Sequence, residues 1–87
     1  MIARKIVYTG NIDETTLAAI YDVTRKTEIT GEVRKKSSNE VELNLEGDPS
    51  MIKLIQHQIE RRVKTALKDK TVTQIPFQYY VGVTLFS

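Results

Sequence analysis

The side chains best suited to chemistry in this chain are few and widely spaced. His57 is the only histidine, and the nearest carboxylate at helical spacing is Glu60, three residues later. Two ligands fall short of the three or four that protein metal sites use. The chain has no cysteine, and Ser37 and Ser38 lie in a predicted turn without a histidine nearby. We therefore expect no catalytic residues, no metal site and no cofactor.

Lys35 is the one residue that the pattern marks for anion binding. It shares the strand parity of Val33, so its side chain should point toward the helix-covered side of the sheet, near the strand end. A lysine at such a place can hold an anion as a point charge. The alternative is that Lys35 extends into water and binds nothing.

The length and composition of the chain indicate one small domain, residues 1–87. It carries 13 Lys+Arg and 11 Asp+Glu, a net charge of +2, and no cysteine. No apolar run approaches the roughly 20 residues of a membrane span, and the first residues do not have a signal peptide's apolar region. We therefore expect a cytoplasmic protein that does not enter a membrane. The charge is uneven, because residues 61–70 hold five bases and one acid. This basic run is typical of a helix end, or of a surface for an acidic partner or nucleic acid.

The hydrophobic periodicity predicts an alternation of strands and helices. The predicted elements are a strand over 3–9, a helix over 14–26 capped by Asp13, strands over 30–37 and 40–46, a helix from Pro49 to about Leu67 capped by Asp48, and one or two strands after Lys70. This order predicts an α+β, ferredoxin-like βαββαβ sandwich with a mostly antiparallel sheet and both helices on one face. The last strand is single or followed by an extra short one.

Two further expectations concern side chains on these elements. In the hairpin, Arg34 and Lys36 should pair across with the acidic face of the next strand, which carries Glu42 and Glu46. On the second helix an apolar stripe faces the core. The expected outer side holds Lys53, Gln56, His57 and Glu60.

The hairpin resembles that of the acylphosphatase family. Gly31-Glu32-Val33-Arg34-Lys35, then Val41-Glu42 and the run that ends in Glu46-Gly47, is similar without a gap to the family pattern G-x-V-R-N, a turn and V-E-x-x-x-E-G. Val7-Tyr8-Thr9-Gly10 is similar to the end of the family's first strand. The resemblance covers about residues 4–60 and implies the same sandwich fold.

The resemblance also implies that this chain is a degenerate member. The family holds phosphate in a glycine-rich loop, V-Q-G-V-G-F-R, whose counterpart here is Ile12 to Ala18, without glycine and with Ala18 at the arginine position. The family asparagine that positions the attacking water corresponds to Lys35. Alanine cannot replace a bidentate guanidinium, and Asp13 and Glu14 add negative charge. We therefore expect no acylphosphatase activity. The alternatives are residual hydrolysis of acyl phosphates, or a small-anion module, each using Lys35.

The C-terminal segment favours association with protein. Residues 75–86 hold more apolar and aromatic side chains than a one-sided strand needs, so the chain itself or another protein should cover them. We expect a homo-oligomer or a protein partner bound through the C-terminal strand region. We expect no nucleic acid, because the second strand lacks the aromatic residues that RNA-binding domains of this fold place on their open sheet face.

Overall fold

The computed structural model describes residues 1–87 as one mixed sheet with two helices. The elements are β1 (Ile2–Gly10), α1 (Glu14–Arg25), β2 (Thr30–Ser37), β3 (Glu40–Gly47), α2 (Pro49–Arg62), β4 (Leu67–Gln74) and β5 (Val83–Phe86). The strand order is β4-β1-β3-β2-β5. The predicted βαββαβ order and the extra C-terminal strand are confirmed. Three of the four strand pairings are antiparallel, as predicted for most of the sheet, and the extra strand β5 runs parallel to β2.

The core lies between the helices and one face of the sheet. Alternate residues of β1 and β3 point into it, with Ile6 paired to Leu43 and Tyr8 paired to Val41. The apolar helix positions that meet them are also buried: Leu17, Ile20, Ile52, Ile55 and Ile59. Burial of each of these aliphatic side chains contributes about 1.5–3 kcal/mol to the stability of the fold. This apolar layer therefore holds the helices against the sheet.

Helix α2 is shorter than its periodicity predicts. It ends at Arg62 instead of continuing to Leu67, and residues 63–66 turn the chain into β4. The apolar spacing persists through Val63 and Ala66, but pairing of Leu67 with Gly10 at the end of β1 requires an extended chain there. The basic run 61–70 therefore divides between a helix end, a turn and an edge strand.

The outer side predicted for α2 is partly wrong. Gln56 is buried at 9% exposure, and Glu60 is half-buried because it reaches Tyr8 beneath the helix. Lys53 and His57 are exposed, as predicted.

The hairpin forms in the predicted place, but its charges pair differently. Arg34 lies opposite Glu42 in the register, yet its guanidinium binds Glu32 on its own strand at 3.1 Å and stacks 4.0 Å above the Phe86 ring. The Glu42 carboxylate instead accepts a hydrogen bond from Asn44, and Lys36 makes no ion pair. The adjacent β5 supplies Phe86, which the local sequence could not reveal.

Residues 75–82 form a strap that crosses the sheet face opposite the helices. The strap links β4 at one edge to β5 at the other, so it passes the ends of β1, β3 and β2. It is anchored where Ile75 N–H donates to the Ala3 carbonyl at 3.0 Å, and where Gly31 N–H donates to the Gly82 carbonyl at 2.9 Å. Gly82 turns the chain into β5 at φ +70°, a conformation that glycine adopts readily. The chain itself therefore covers part of the open face.

Neither helix has the length and apolar character required to cross a bilayer.

Candidate functional site

The segment that the resemblance places at the phosphate loop, residues 12–18, is helical from Glu14 onward. Asp13 is the N-cap of α1 and accepts a hydrogen bond from Thr16 N–H at 2.8 Å. Residues 14–18 form the first turns of the helix, because a capping aspartate followed by Glu14 favours a helix start. The stretch thus lacks the open glycine conformations that aim successive amides at an anion.

The backbone donors that precede this helix are already bonded within the chain. Gly10 N–H donates to the Asn39 carbonyl at 2.9 Å, Asn11 N–H to Ala66 at 2.8 Å and Ile12 N–H to Ser38 at 2.9 Å. The Ile12 side chain is fully buried in the core. Binding a phosphate with these amides would break internal hydrogen bonds, each of which contributes about 0.5–1.5 kcal/mol to stability.

Lys35 occupies the face that its parity predicts. It pairs with Val41 on the helix-covered side and is half-buried. Its charge reaches Asp13: hydrogen bonds from Thr16 lower the pKa of Asp13 most, and Lys35 lowers it further. The capping carboxylate of α1 is therefore one anion that already interacts with the Lys35 charge.

Ala18 and Lys35 do not line the same groove. Ala18 is exposed on α1 and lines a shallow groove of about 670 Å³ together with Asp22 and Arg62, and Lys35 does not line that groove. Asp22 accepts from Arg62 at 3.0 Å and also pairs with Lys26 and Arg25, which fills the area around Ala18 with internal ion pairs. The structure does not bring the two counterpart positions together around one space.

A second polar cluster lies at the same end of the sheet, on the other side of β1. The Tyr8 hydroxyl donates to Glu60 at 2.9 Å, and Lys70 Nζ contacts both oxygens of that carboxylate at 2.8 and 3.0 Å. Burial, followed by the Glu60 hydrogen bond, raises the pKa of Tyr8 above its ordinary value. Tyr8 is therefore a neutral donor that holds Glu60 in place. Sequence reasoning missed this cluster, although a tyrosine at a core parity needs a partner for its hydroxyl.

The third cluster ties the strap to the sheet. Glu46, at 4% exposure, accepts backbone hydrogen bonds from Gln78, from Tyr79 at 3.0 Å and from Tyr80 at 3.0 Å. The Tyr80 hydroxyl donates to Glu32 at 3.0 Å. Glu46 therefore anchors the strap and does not take part in the cross-strand pairing expected for it. Phe77 and Tyr79 stack on the outside of the strap.

No group of three or more His, Cys, Asp and Glu side chains is arranged to hold a metal ion. His57 is exposed on α2.

Comparison with known proteins gives structural relatives only. No family model and no curated protein matches the sequence. Among solved structures, the acylphosphatase from Bacillus subtilis is similar over 100% of both chains, with a TM-score of 0.87 and 14% identity. An acylphosphatase from Coxiella burnetii is similar over 97% of this chain and 90% of its own, with a TM-score of 0.83 and 15% identity. HypF from T. kodakarensis is similar over 100% of this chain and 12% of its own, with a TM-score of 0.79 and 17% identity. The chain has the fold of the acylphosphatases.

Proposed function

We propose that this chain is a non-catalytic domain with the acylphosphatase fold, and that it acts by associating with a second copy of itself through β5. The first half of the proposal rests on the occupied amides of residues 10–12, the cap formed by Asp13 and the absence of Lys35 from the groove that Ala18 lines. A site whose preceding amides are already bonded and whose helix is capped by an aspartate has little to offer a phosphate.

The uncharged edge strand β5 is the observation that carries the association. Of the two sheet edges, β4 bears Lys68, Asp69 and Lys70, the kind of charge that discourages pairing between strands of different chains. The edge at β5 reads Val83-Thr84-Leu85-Phe86 and has no charge. Leu85 is 36% and Phe86 40% exposed, and Val81 beside them is 95% exposed. Two copies related by a twofold axis can pair β5 with β5 and bury these side chains without opposing like charges.

The test is sedimentation of the wild-type protein from low to high micromolar concentration. Leu85→Lys places a charge on the β5 edge. Val72→Lys is the matched control, because Val72 is an exposed apolar residue (41%) at the equivalent helix-facing parity of the other edge strand. We expect a dimer for wild type and Val72→Lys and a monomer for Leu85→Lys. A wild-type monomer at every concentration would disprove the association.

The alternative is that Lys35 serves residual hydrolysis of acyl phosphates or the binding of a small anion. Lys35 points to the helix-covered side beside the start of α1, which is where an acyl phosphate would approach. Hydrolysis of benzoyl phosphate by the purified protein, lost in Lys35→Ala, would favour residual acylphosphatase activity over the proposed function. Protection of Lys35 amide and side-chain NMR signals by inorganic phosphate without turnover would favour an anion module. We expect no turnover and no phosphate-dependent shift at Lys35.

A further inference from the structure

We propose that the groove between α2 and β4 binds the phosphate backbone of single-stranded nucleic acid. Two neighbouring concavities of about 250 and 420 Å³ share Glu60 and Lys70, so they form one continuous groove along the helix and the edge strand. We call it the α2–β4 groove. It lies at the sheet edge opposite β5, and the inference does not rest on self-association.

The charge of the α2–β4 groove exceeds that of the whole chain. Its walls carry five cations and two carboxylates, Glu60 and Asp69, for a local net charge of +3. The cations are Arg4, Lys53, Lys64, Lys68 and Lys70. The complete chain has +2. The positive charge is therefore concentrated in this groove and balanced by acids elsewhere.

Most of these cations have no partner within the chain. Lys70 pairs with Glu60 at 2.8 Å, whereas Arg4, Lys53, Lys64 and Lys68 make no ion pair. On the adjacent α1–α2 surface the opposite holds, since Asp22 alone pairs with Arg25, Lys26 and Arg62. Holding several unpaired cations close together costs electrostatic energy, which a bound polyanion relieves.

Glu60 is the acid in the middle of the groove, and the fold neutralises it. The Tyr8 hydroxyl donates to Glu60 from below, at 2.9 Å, and the Lys70 ammonium covers both carboxylate oxygens. A ligand that passes along the groove therefore meets a paired carboxylate between two groups of unpaired cations.

The length of the groove indicates a chain and not a single phosphate. Lys70 lies opposite Tyr8 in the β1–β4 register, and Arg4 lies opposite Gln74, four residues further along β4. At roughly 3.3 Å per residue, the register positions of Lys70 and Arg4 are therefore about 13 Å apart along the strand. Lys64 and Lys68 extend the cationic wall beyond Lys70. Only an extended ligand with repeated negative charges contacts both ends.

The walls favour nucleic acid over protein or membrane. The groove contains few apolar side chains, such as Leu67 and Val72, whereas a protein interface needs an apolar, aromatic-rich centre. A concave surface does not fit a flat bilayer. Polar, strongly positive surfaces are typical of contacts with a phosphate backbone. The proposal departs from the expectation of no nucleic acid. That expectation rested on the aromatic residues of the open sheet face, whereas this groove lies between α2 and β4.

The proposed binding should be independent of base sequence and sensitive to salt. In a plot of the logarithm of the association constant against the logarithm of salt concentration, each phosphate contact with a single strand contributes about −0.7 to the slope. Four or five contacts should therefore give a slope near −3. Lysine side chains supply point charges, so no preference among bases is expected.

The experiment is fluorescence anisotropy with a labelled oligothymidylate of about 20 nucleotides, from about 20 to 200 mM salt. Lys53→Gln/Lys64→Gln/Lys68→Gln removes three cations of the groove. The matched control, Lys5→Gln/Lys26→Gln/Lys36→Gln, removes the same charge from other surfaces. We expect wild type to bind at about 20 mM salt, the groove variant to bind at least about 10-fold more weakly with a shallower slope, and the control to change by less than about 3-fold.

Several results would overturn the inference. One is the absence of oligonucleotide binding by the wild-type protein at low salt. Another is an equal loss of affinity in the two triple variants, which would indicate that binding depends on net charge alone. Full competition by equimolar pyrophosphate would indicate a small ligand. Tighter, groove-dependent binding to phosphatidylserine vesicles would indicate a lipid surface. Circular dichroism of all three proteins verifies that the variants fold. The unfolding midpoint of the control is also measured, because Lys26 pairs with Asp22 at 3.0 Å.

Discussion

At the residue scale, Glu46 shows how one carboxylate can organise a segment without regular structure. Its two oxygens accept the backbone N–H groups of Gln78, Tyr79 and Tyr80, and Tyr79 takes a positive φ of 59° in that turn. A non-glycine residue in this conformation costs roughly 1 kcal/mol or more, which the converging hydrogen bonds offset. The position of the strap is therefore set by a side chain of β3.

Replacing Glu46 with Gln should loosen the strap. Glutamine has one acceptor oxygen and places an NH₂ group against backbone donors, so we expect the free energy of unfolding to fall by about 1–3 kcal/mol. Amide exchange of residues 78–80 should accelerate. The control is Glu40→Gln on the same strand, because the Glu40 side chain makes no hydrogen bond. Unchanged protection of residues 78–80 would contradict the anchoring role.

At the element scale, a helix start occupies the segment that the resemblance places at the phosphate loop. The capping Asp13 and the bonds from residues 10–12 to carbonyls of residues 38, 39 and 66 form one local structure. The side chains that the family pattern leads us to expect do not occupy these positions, and the surrounding amides are bonded within the chain. Side-chain substitution alone therefore should not create a phosphate site.

The corresponding prediction concerns Ala18→Arg/Lys35→Asn, which installs both residues expected from the family pattern. We expect hydrolysis of benzoyl phosphate to stay at the buffer rate, because the amides of residues 10–12 remain bonded and the two positions do not share a cavity. An active acylphosphatase assayed in parallel controls the assay. Turnover by the double variant, lost again in the Ala18→Arg single variant, would show that the side chains suffice.

The sequence predicts these elements better than their ends and contacts. Capping residues locate α1, and the alternation of apolar and polar residues locates β2 and β3, almost to the residue, because these signals are local. The end of α2 could not be found, since the pairing of Gly10 with Leu67 overrides a continuing helical pattern. The face of Lys35 follows from parity, but the occupied loop amides depend on carbonyls far along the chain.

At the scale of the whole molecule, charge is distributed by face. The α2–β4 groove is basic, whereas the sheet face opposite the helices carries Glu32, Glu42 and Glu46. Between these regions, Asp22 on α1 binds Arg62 of α2 at 3.0 Å and so links the two helices. Hydrogen bonds from Arg62, then from Lys26, lower the pKa of Asp22 to about 2.

This shift predicts an acid-sensitive part of the stability. Because the pKa is lower in the folded state than its ordinary value of 3.8, the stabilisation is present above about pH 4 and is lost as pH falls toward 2. The difference in thermal midpoint between wild type and Asp22→Asn should therefore shrink over that range, at low salt. Asp69→Asn, which removes a carboxylate without an ion pair, is the control. An equal difference at pH 6 and pH 2 would contradict the linkage.

The parallel pairing of β5 with β2 has a consequence for folding order. Gly31 and Val83 meet across 52 residues of chain, and the strap between β4 and β5 can bind only after β3 has placed Glu46. Local hairpins form before contacts of such long sequence separation. We therefore expect β5 to dock last, so that the edge of β2 is open in late folding intermediates. At high concentration that open edge can accept β5 from a neighbouring chain, and an exchanged dimer would then form beside the proposed one.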